Sequence, residues 1–304
     1  MENLLDFAST GMAIALVALS LILLQRSQGI VILEIIPLST ALVLIALGSL
    51  RKGSASTLDT ATLIIPLFAC AALVVMFQPL YAKWRLRVAG ESTTLLLSFA
   101  SMNCCLSAMT ATTSNRSISL ALADSYLVGT KDRLEWAVIA TAGVALTGIM
   151  LYLRQRRLVA ALQLSKDDFR LLQTFGRDPD QVRRHVLAVA IVACTVGMIL
   201  FVSLQETFSV SNCYAVLIPS FAIAISQNRI RAARLVTASV LLITAEGFLT
   251  QHTSELLRAV HRAALFSFFI LIGVISQRVT STAIALKWRR RFFGFARRPY
   301  ALQP

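Results

Sequence analysis

The chain has 304 residues, 57% of them hydrophobic and only 14% charged, with a mean hydropathy of +0.72 and a formal net charge of +14. A soluble domain is about a quarter charged, so this composition excludes an ordinary water-soluble fold and points to an all-α, polytopic membrane helix bundle. Apolar segments that run without alternation exclude a transmembrane β-barrel, and basic residues gathered at segment ends make bilayer orientation, not nucleic-acid binding, the reason for the charge.

Nine segments are candidates to cross about 30 Å of hydrocarbon. In chain order they are 8–24, 30–50, 61–80, 93–112, 134–153, 185–205, 214–227, 231–249 and 263–283. The opening MENLLDFAST is acidic, not basic, so the first span is expected to be retained and not cleaved as a signal peptide. The seventh is short and carries Pro219, which predicts a half-span or a broken helix and leaves the count at eight or nine.

Polar residues within these spans are the candidates for a translocation path. Glu34 and Pro37 fall in the second, Asn103 in the fourth, Pro219 in the seventh and Glu246 in the eighth. Ionisable groups at membrane depth are costly and tend to face a bundle interior or a water path. Both glutamates stand close to span ends, where hydration or protonation is the competing reading. For Asn103 the competing reading is a packing hydrogen bond.

Five cysteines, four of them inside apolar spans, lack a metal-site spacing and read as small packing residues. His185 sits at a span start, and His252 and His261 fall in a predicted loop. None belongs to an evident metal or nucleophile pattern, so no cofactor is expected. The loop 113–133 is the longest on its side of the bilayer.

Between the fifth and sixth spans lies LVAALQLSKDDFRLLQTFGRDPDQV, residues 158–182. Ser165 and Asp168 have capping-box spacing, Asp167 and Asp168 suit the positive end of a helix, and Gly176 suits its stop. These signals predict a short helix over 166–175. Phe169, Leu172 and Phe175 recur at a spacing of three with Leu171 beside them, making an apolar stripe opposite Lys166, Arg170 and Gln173. Asp178 and Pro179 then form an N-cap and first-turn pair, predicting a second helix that runs straight into the sixth span.

With this loop placed in the cytoplasm, alternating the spans outward puts 21 Lys and Arg on the cytoplasmic side and 7 on the other. This positive-inside asymmetry predicts an external N-terminus and a cytoplasmic C-terminus. One transmembrane domain is expected over 1–290, containing the cytoplasmic loop 154–184. A basic tail, 291–304, follows and suits contact with anionic membrane lipid or, as the competing reading, with a cytoplasmic partner.

The loop resembles that of permease subunits of the branched-chain amino acid-type ABC importers. Leu158, Ala161, Leu162, Asp168, Gly176, Asp178, Asp180 and Val182 fall on family-type positions, after the basic span end Arg154-Gln155-Arg156-Arg157. The first span, AIALVALSLILL, is also similar to that family's. In that family the loop holds a coupling helix seated in a cleft of the cytoplasmic ATPase. The resemblance implies that role for Ser165, Asp167, Asp168, Phe169, Arg170, Leu171, Leu172, Phe175 and Gly176. It also implies cytoplasmic ABC ATPase subunits, a second permease subunit and a periplasmic substrate-binding protein as partners, in a bacterial inner membrane. No Walker loop occurs in the chain, so ATP hydrolysis is expected on a partner and the chain itself is not expected to be an enzyme. The family's Asn-Phe-Ala-His-Gly motif is absent from the start of the second span, which reads GIVILEIIP, and this implies a divergent subunit of a heterodimer. The expected cargo is a small polar, amino acid-like solute. A stand-alone secondary transporter and a non-transporting assembly subunit are the alternatives.

Overall fold

The computed structural model describes residues 2–28, 131–158, 178–205, 211–227, 230–252 and 260–273, with short pieces at 35–36, 39, 100, 103–104, 118–119, 207–208 and 275. Among these residues the chain is helical, apart from one two-residue strand pairing. Four of the helices are long and apolar enough to cross a membrane.

Helix α1 spans Glu2–Gln28. Its leucines and alanines favour helix, its only glycine is Gly11, and it has no proline. Glu2 and Asp6 lie near its start and Arg26 in its last turn, the arrangement that the helix dipole favours. Helix α2 spans Lys131–Gln155. It ends in a tight turn in which Arg157 adopts a left-handed φ of 51° and its N–H donates to the Arg154 carbonyl at 3.0 Å.

Helix α3 spans Pro179–Ser203. The Asp178 carbonyl accepts from the Val182 N–H at 3.2 Å, so the helix starts at the Asp178-Pro179 pair and continues unbroken through the sixth predicted span. Helix α4, Ser211–Ser226, is continuous through Pro219, which corrects the expectation of a broken helix. One proline removes one backbone hydrogen bond, and the packing around this buried residue holds the helix through it. Its 16 residues rise only about 24 Å, short of the hydrocarbon thickness. Helix α5 spans Ala232–His252, and the apolar helix α6 spans Val260–Gly273. His252 therefore ends α5 and His261 lies in α6, so neither is a loop residue.

Strand β1, Ile118–Ser119, pairs antiparallel with β2, Thr207–Phe208, in the register Ile118 to Phe208. This pairing is an addition to the all-α expectation. It ties the predicted loop 113–133 to the connection between α3 and α4.

α1 is the centre of the bundle. It packs against α2, α3, α4 and α5, and every residue from Ala13 to Leu24 is buried. A helix that is apolar on all sides is buried in either a core or a membrane, and here the four helices packed on α1 make it the core. Two close approaches seat its neighbours. A Cβ on Gly197 of α3 would stand 2.9 Å from the Ala13 carbonyl oxygen and 2.8 Å from Val17 Cγ2. A Cβ on Gly11 would stand 2.9 Å from the Val240 Cα of α5. Between apolar spans in lipid, such backbone-level contact supplies the attraction that the hydrophobic effect supplies in water.

These contacts also fix direction. Gly11 meets Val240 and Gly247 meets Phe7, so α5 runs antiparallel to α1. Gly197 meets Ala13 and Leu16, and Cys194 faces Ser20, so α3 is antiparallel to α1 as well. Gly143 lies over Met12, and Leu146 and Met150 lie beside Leu19, so α2 is parallel to α1. α6 runs from Glu246 near the end of α5 to Ser226 at the end of α4. Arg26, Arg154, Arg156, Arg157, Arg183, Arg184, Arg231 and Arg234 consequently share one end of the bundle. Asp6, Glu135 and Glu246 lie toward the other.

Two matched substitutions test the role of close packing. Gly197→Ala is expected to lower stability in detergent by about 1–3 kcal/mol through overpacking, seen as a lower melting temperature. Gly148→Ala, where a Cβ would meet nothing within 4 Å, should leave melting unchanged or slightly raised.

Candidate functional site

Most hydroxyls in the bundle are satisfied within their own helix. Thr147 donates to the Gly143 carbonyl at 2.7 Å, Ser239 to Leu235 at 2.8 Å and Thr244 to Val240 at 2.7 Å. Such back-bonding makes a hydroxyl nearly silent to its surroundings. The exceptions are informative.

One lies where α1, α3, α4 and the short piece at 35–39 meet. The Cys194 thiol donates to the Ile35 carbonyl at 3.9 Å, and the hydroxyls of Ser39 and Ser20 face it. Thr195 Oγ1 also reaches Ser39 Oγ at 3.5 Å. Cys213 of α4 lies in the same neighbourhood. All of these side chains are buried, and Ser20 Oγ makes no hydrogen bond of normal geometry. The cluster is neutral. It offers donors and acceptors to a small polar molecule, and no member is an acid, a base or an activated nucleophile. It also confirms Cys194 and Cys213 as buried packing residues with free thiols.

Sequence reasoning missed this cluster. A signal was present: Ser9, Ser20 and Ser27 are spaced by 11 and 7 residues, which places them on one face of α1, and all three are buried. Ser9 and Ser27 back-bond to Asp6 and Leu24, leaving Ser20 as the member turned outward to a neighbour. Ser220 of α4, next to Pro219, is likewise buried, and its hydroxyl has no hydrogen-bond partner among the described residues.

A second polar feature lies near the opposite end from the arginines. Glu246 is nearly buried in α5, and its Oε1 accepts from both Nε and an Nη of Arg262 on α6. The carboxylate side chain is 11% exposed and the guanidinium 45%, so the cation carries the pair's contact with the surroundings. The predicted path residue Glu246 is thus an ion-paired residue joining α5 to α6.

Asn103, also predicted for the path, is exposed, and its Oδ1 accepts from the Tyr214 hydroxyl at 2.7 Å, tying it to the first turn of α4. Pro219 is buried within α4. Among the described residues Asn103 and Glu246 bond to different partners, Tyr214 and Arg262. Glu34 and Pro37 lie outside the described residues, although Ile35, Ile36 and Ser39 beside them are buried. The coupling residues Ser165, Asp167, Asp168, Phe169, Arg170, Leu171, Leu172, Phe175 and Gly176 also lie outside the described residues. Among the described residues, no group of three or more His, Cys, Asp or Glu converges as a metal site would require. His185 instead bonds through Nδ1 to the Gln181 carbonyl at 2.8 Å.

No family model, no characterised protein and no solved structure matches this chain.

Removing one partner of the α5–α6 pair should harm the protein more than removing both. Arg262→Gln strands a nearly buried carboxylate, whereas the double change Glu246→Gln with Arg262→Gln leaves two amides able to bond each other. Melting of the single and double variants in detergent is expected to give a coupling of about 1 kcal/mol or more. Strict additivity would reduce the pair to a surface contact.

Proposed function

We propose that this chain is the transmembrane subunit of an ABC importer, moving a small polar, amino acid-like solute by alternating access. Its energy comes from a separate ATPase docked on the 165–176 segment in the 154–184 loop. The observation that carries this reading is the placement of the loop's two ends. Leu158 is buried at the end of α2 and Asp178 caps α3, both at the arginine-rich end. α2 and α3 each pack on α1, so a force applied to a helix hung between them reaches the bundle core through two helices at once.

The helix directions support the nine-span topology. Gln28 and Lys131 lie at opposite ends of the bundle, so an odd number of crossings must separate them, and the segments 30–50, 61–80 and 93–112 supply three. The eight arginines gathered at one end support a cytoplasmic face there and an external N-terminus. A second permease subunit, a periplasmic binding protein and a bacterial inner membrane complete the arrangement. The neutral cluster around Ser20, Cys194 and Thr195 is where the described spans offer hydrogen bonds without a fixed charge, which suits a solute with little net charge.

Two experiments test this reading. Cysteines introduced at Arg156 and Arg133 should label from opposite sides of inside-out and right-side-out vesicles. Phe169→Asp places a charge on the apolar stripe, and it is expected to remove the co-purifying ATPase and reduce ATP-driven uptake to background while the chain still inserts. Uptake by the purified chain without any ATPase would overturn the proposal.

A further inference from the structure

Two levels can be marked along the bundle axis. Gly143 of α2 lies over Met12, so Trp136 stands near the level of Leu5 in α1. Gly247 of α5 meets Phe7, so Phe248 stands near that level too. Leu4, Trp136 and Phe248 therefore fall within about one helical turn of each other, about 5 Å along the axis. They are 68%, 61% and 61% exposed. At the opposite end, Arg154 lies in the last turn of α2 and Arg26 in the last turn of α1. Trp136 is 18 residues from Arg154, about 27 Å of helix, and Leu4 is 22 residues from Arg26, about 33 Å. These lengths bracket the hydrocarbon thickness of about 30 Å.

The surface between the two levels suits lipid. On α2 the exposed residues between Trp136 and Arg154 carry no charge, and Val144 and Leu151 are the large ones. Thr141 and Thr147 are exposed there, and each hydroxyl donates to its own helix at 2.7 Å, to Ala137 and Gly143. On α5 the exposed Thr237 donates to Ala233 at 2.9 Å, and Leu241 is exposed one turn further on. A hydroxyl that faces hydrocarbon has to find its acceptor within its own helix.

Trp136 has a different requirement. Its ring is apolar, but its indole N–H needs an acceptor, which headgroups and interfacial water supply. Arg133 precedes it by one turn on the same face and is exposed, so a cation lies on the headgroup side of the ring. Glu246 and its partner Arg262 fall close to the same level, two residues from Phe248, where charge costs less than at the bilayer centre.

We propose that Trp136, with Leu4 and Phe248 at its level, anchors the bundle at the boundary between headgroups and hydrocarbon in the leaflet opposite the arginines. The partner is the lipid interface itself. This anchoring requires a membrane location but no particular transport activity, so it stands or falls separately from the importer reading.

The test uses the full chain in phosphatidylcholine vesicles, with Trp84→Phe and Trp288→Phe leaving Trp136 as the sole emitter. A nitroxide placed on the lipid chain near the headgroup should remove more of its emission than one placed near the chain end. Moving the indole by Trp136→Phe with Val144→Trp, eight residues or about 12 Å deeper, should reverse that order. If the phenylalanine background folds poorly, the difference in emission between the parent chain and Trp136→Phe gives the same comparison. Stronger quenching of Trp136 by the chain-end label would overturn the proposal, because the ring would lie within the hydrocarbon. So would quenching by aqueous iodide with neither lipid label effective, which places the ring in water. Protection from iodide and from both lipid labels would also overturn it, showing the ring covered by protein.

Discussion

The bundle depends on how closely two helices approach the backbone of α1. In water a core assembles because apolar surface leaves the solvent. In a bilayer the lipid tails are as apolar as leucine, so that drive disappears between spans. What remains is contact at van der Waals distance, and Gly197 and Gly11 permit it. With no side chain at either position, α3 comes within reach of the Ala13 carbonyl and α5 within reach of the α1 backbone. The rest of α1 is surrounded as a consequence, and its twelve consecutive buried residues, Ala13–Leu24, lie in a protein environment and not in lipid.

A core of this kind leaves few places for polar chemistry. Hydroxyls turned back onto their own helix contribute little to recognition, and the described helices use that device repeatedly. Ser20 differs because its neighbours are on other elements. Its face of α1 meets Cys194 and Thr195 of α3 together with Ser39, so four polar groups from three segments of chain converge in a dry interior. The low dielectric there strengthens any hydrogen bond that forms and penalises any that is missing. Among the described residues the Ser20 hydroxyl faces Cys194 without a hydrogen bond of normal geometry, whereas Glu246 is paired with Arg262.

Much of the architecture could be read from the sequence because it follows from local rules. The apolar runs behind α2, α3 and α5 gave their spans within a few residues, and Asp178-Pro179 marked the start of α3 because cap chemistry is local. Pro219 misled the reading. A proline removes one bond, but whether the helix breaks depends on its packing, which the sequence does not display. The role of α1 was hidden for a related reason: an apolar segment facing lipid and one facing protein have the same composition. Gly197 was no more visible, since a glycine at a contact resembles Gly148 facing open space until a neighbour is placed beside it. Glu246 was correctly located near a span end, but its partner lies in the next helix, and no spacing rule connects the two.

The distribution of charge along the bundle axis connects these features. Acidic groups lie toward one end, where Glu246 is neutralised by Arg262, so no net field develops between α5 and α6. At the other end the arginines of α2 and α5 are not neutralised by the described residues, although they stand on helices that share α1 as their support. Like charges gathered at one end of a bundle oppose close approach, so the packing of both helices on α1 has to hold them there. The loop between α2 and α3 leaves from this same end, beside Arg154 and Arg157. The stiffness with which that loop is anchored thus depends on how its two flanking helices seat on α1: α3 through the close approach at Gly197, and α2 through the contact of Gly143, Leu146 and Met150 with Met12 and Leu19.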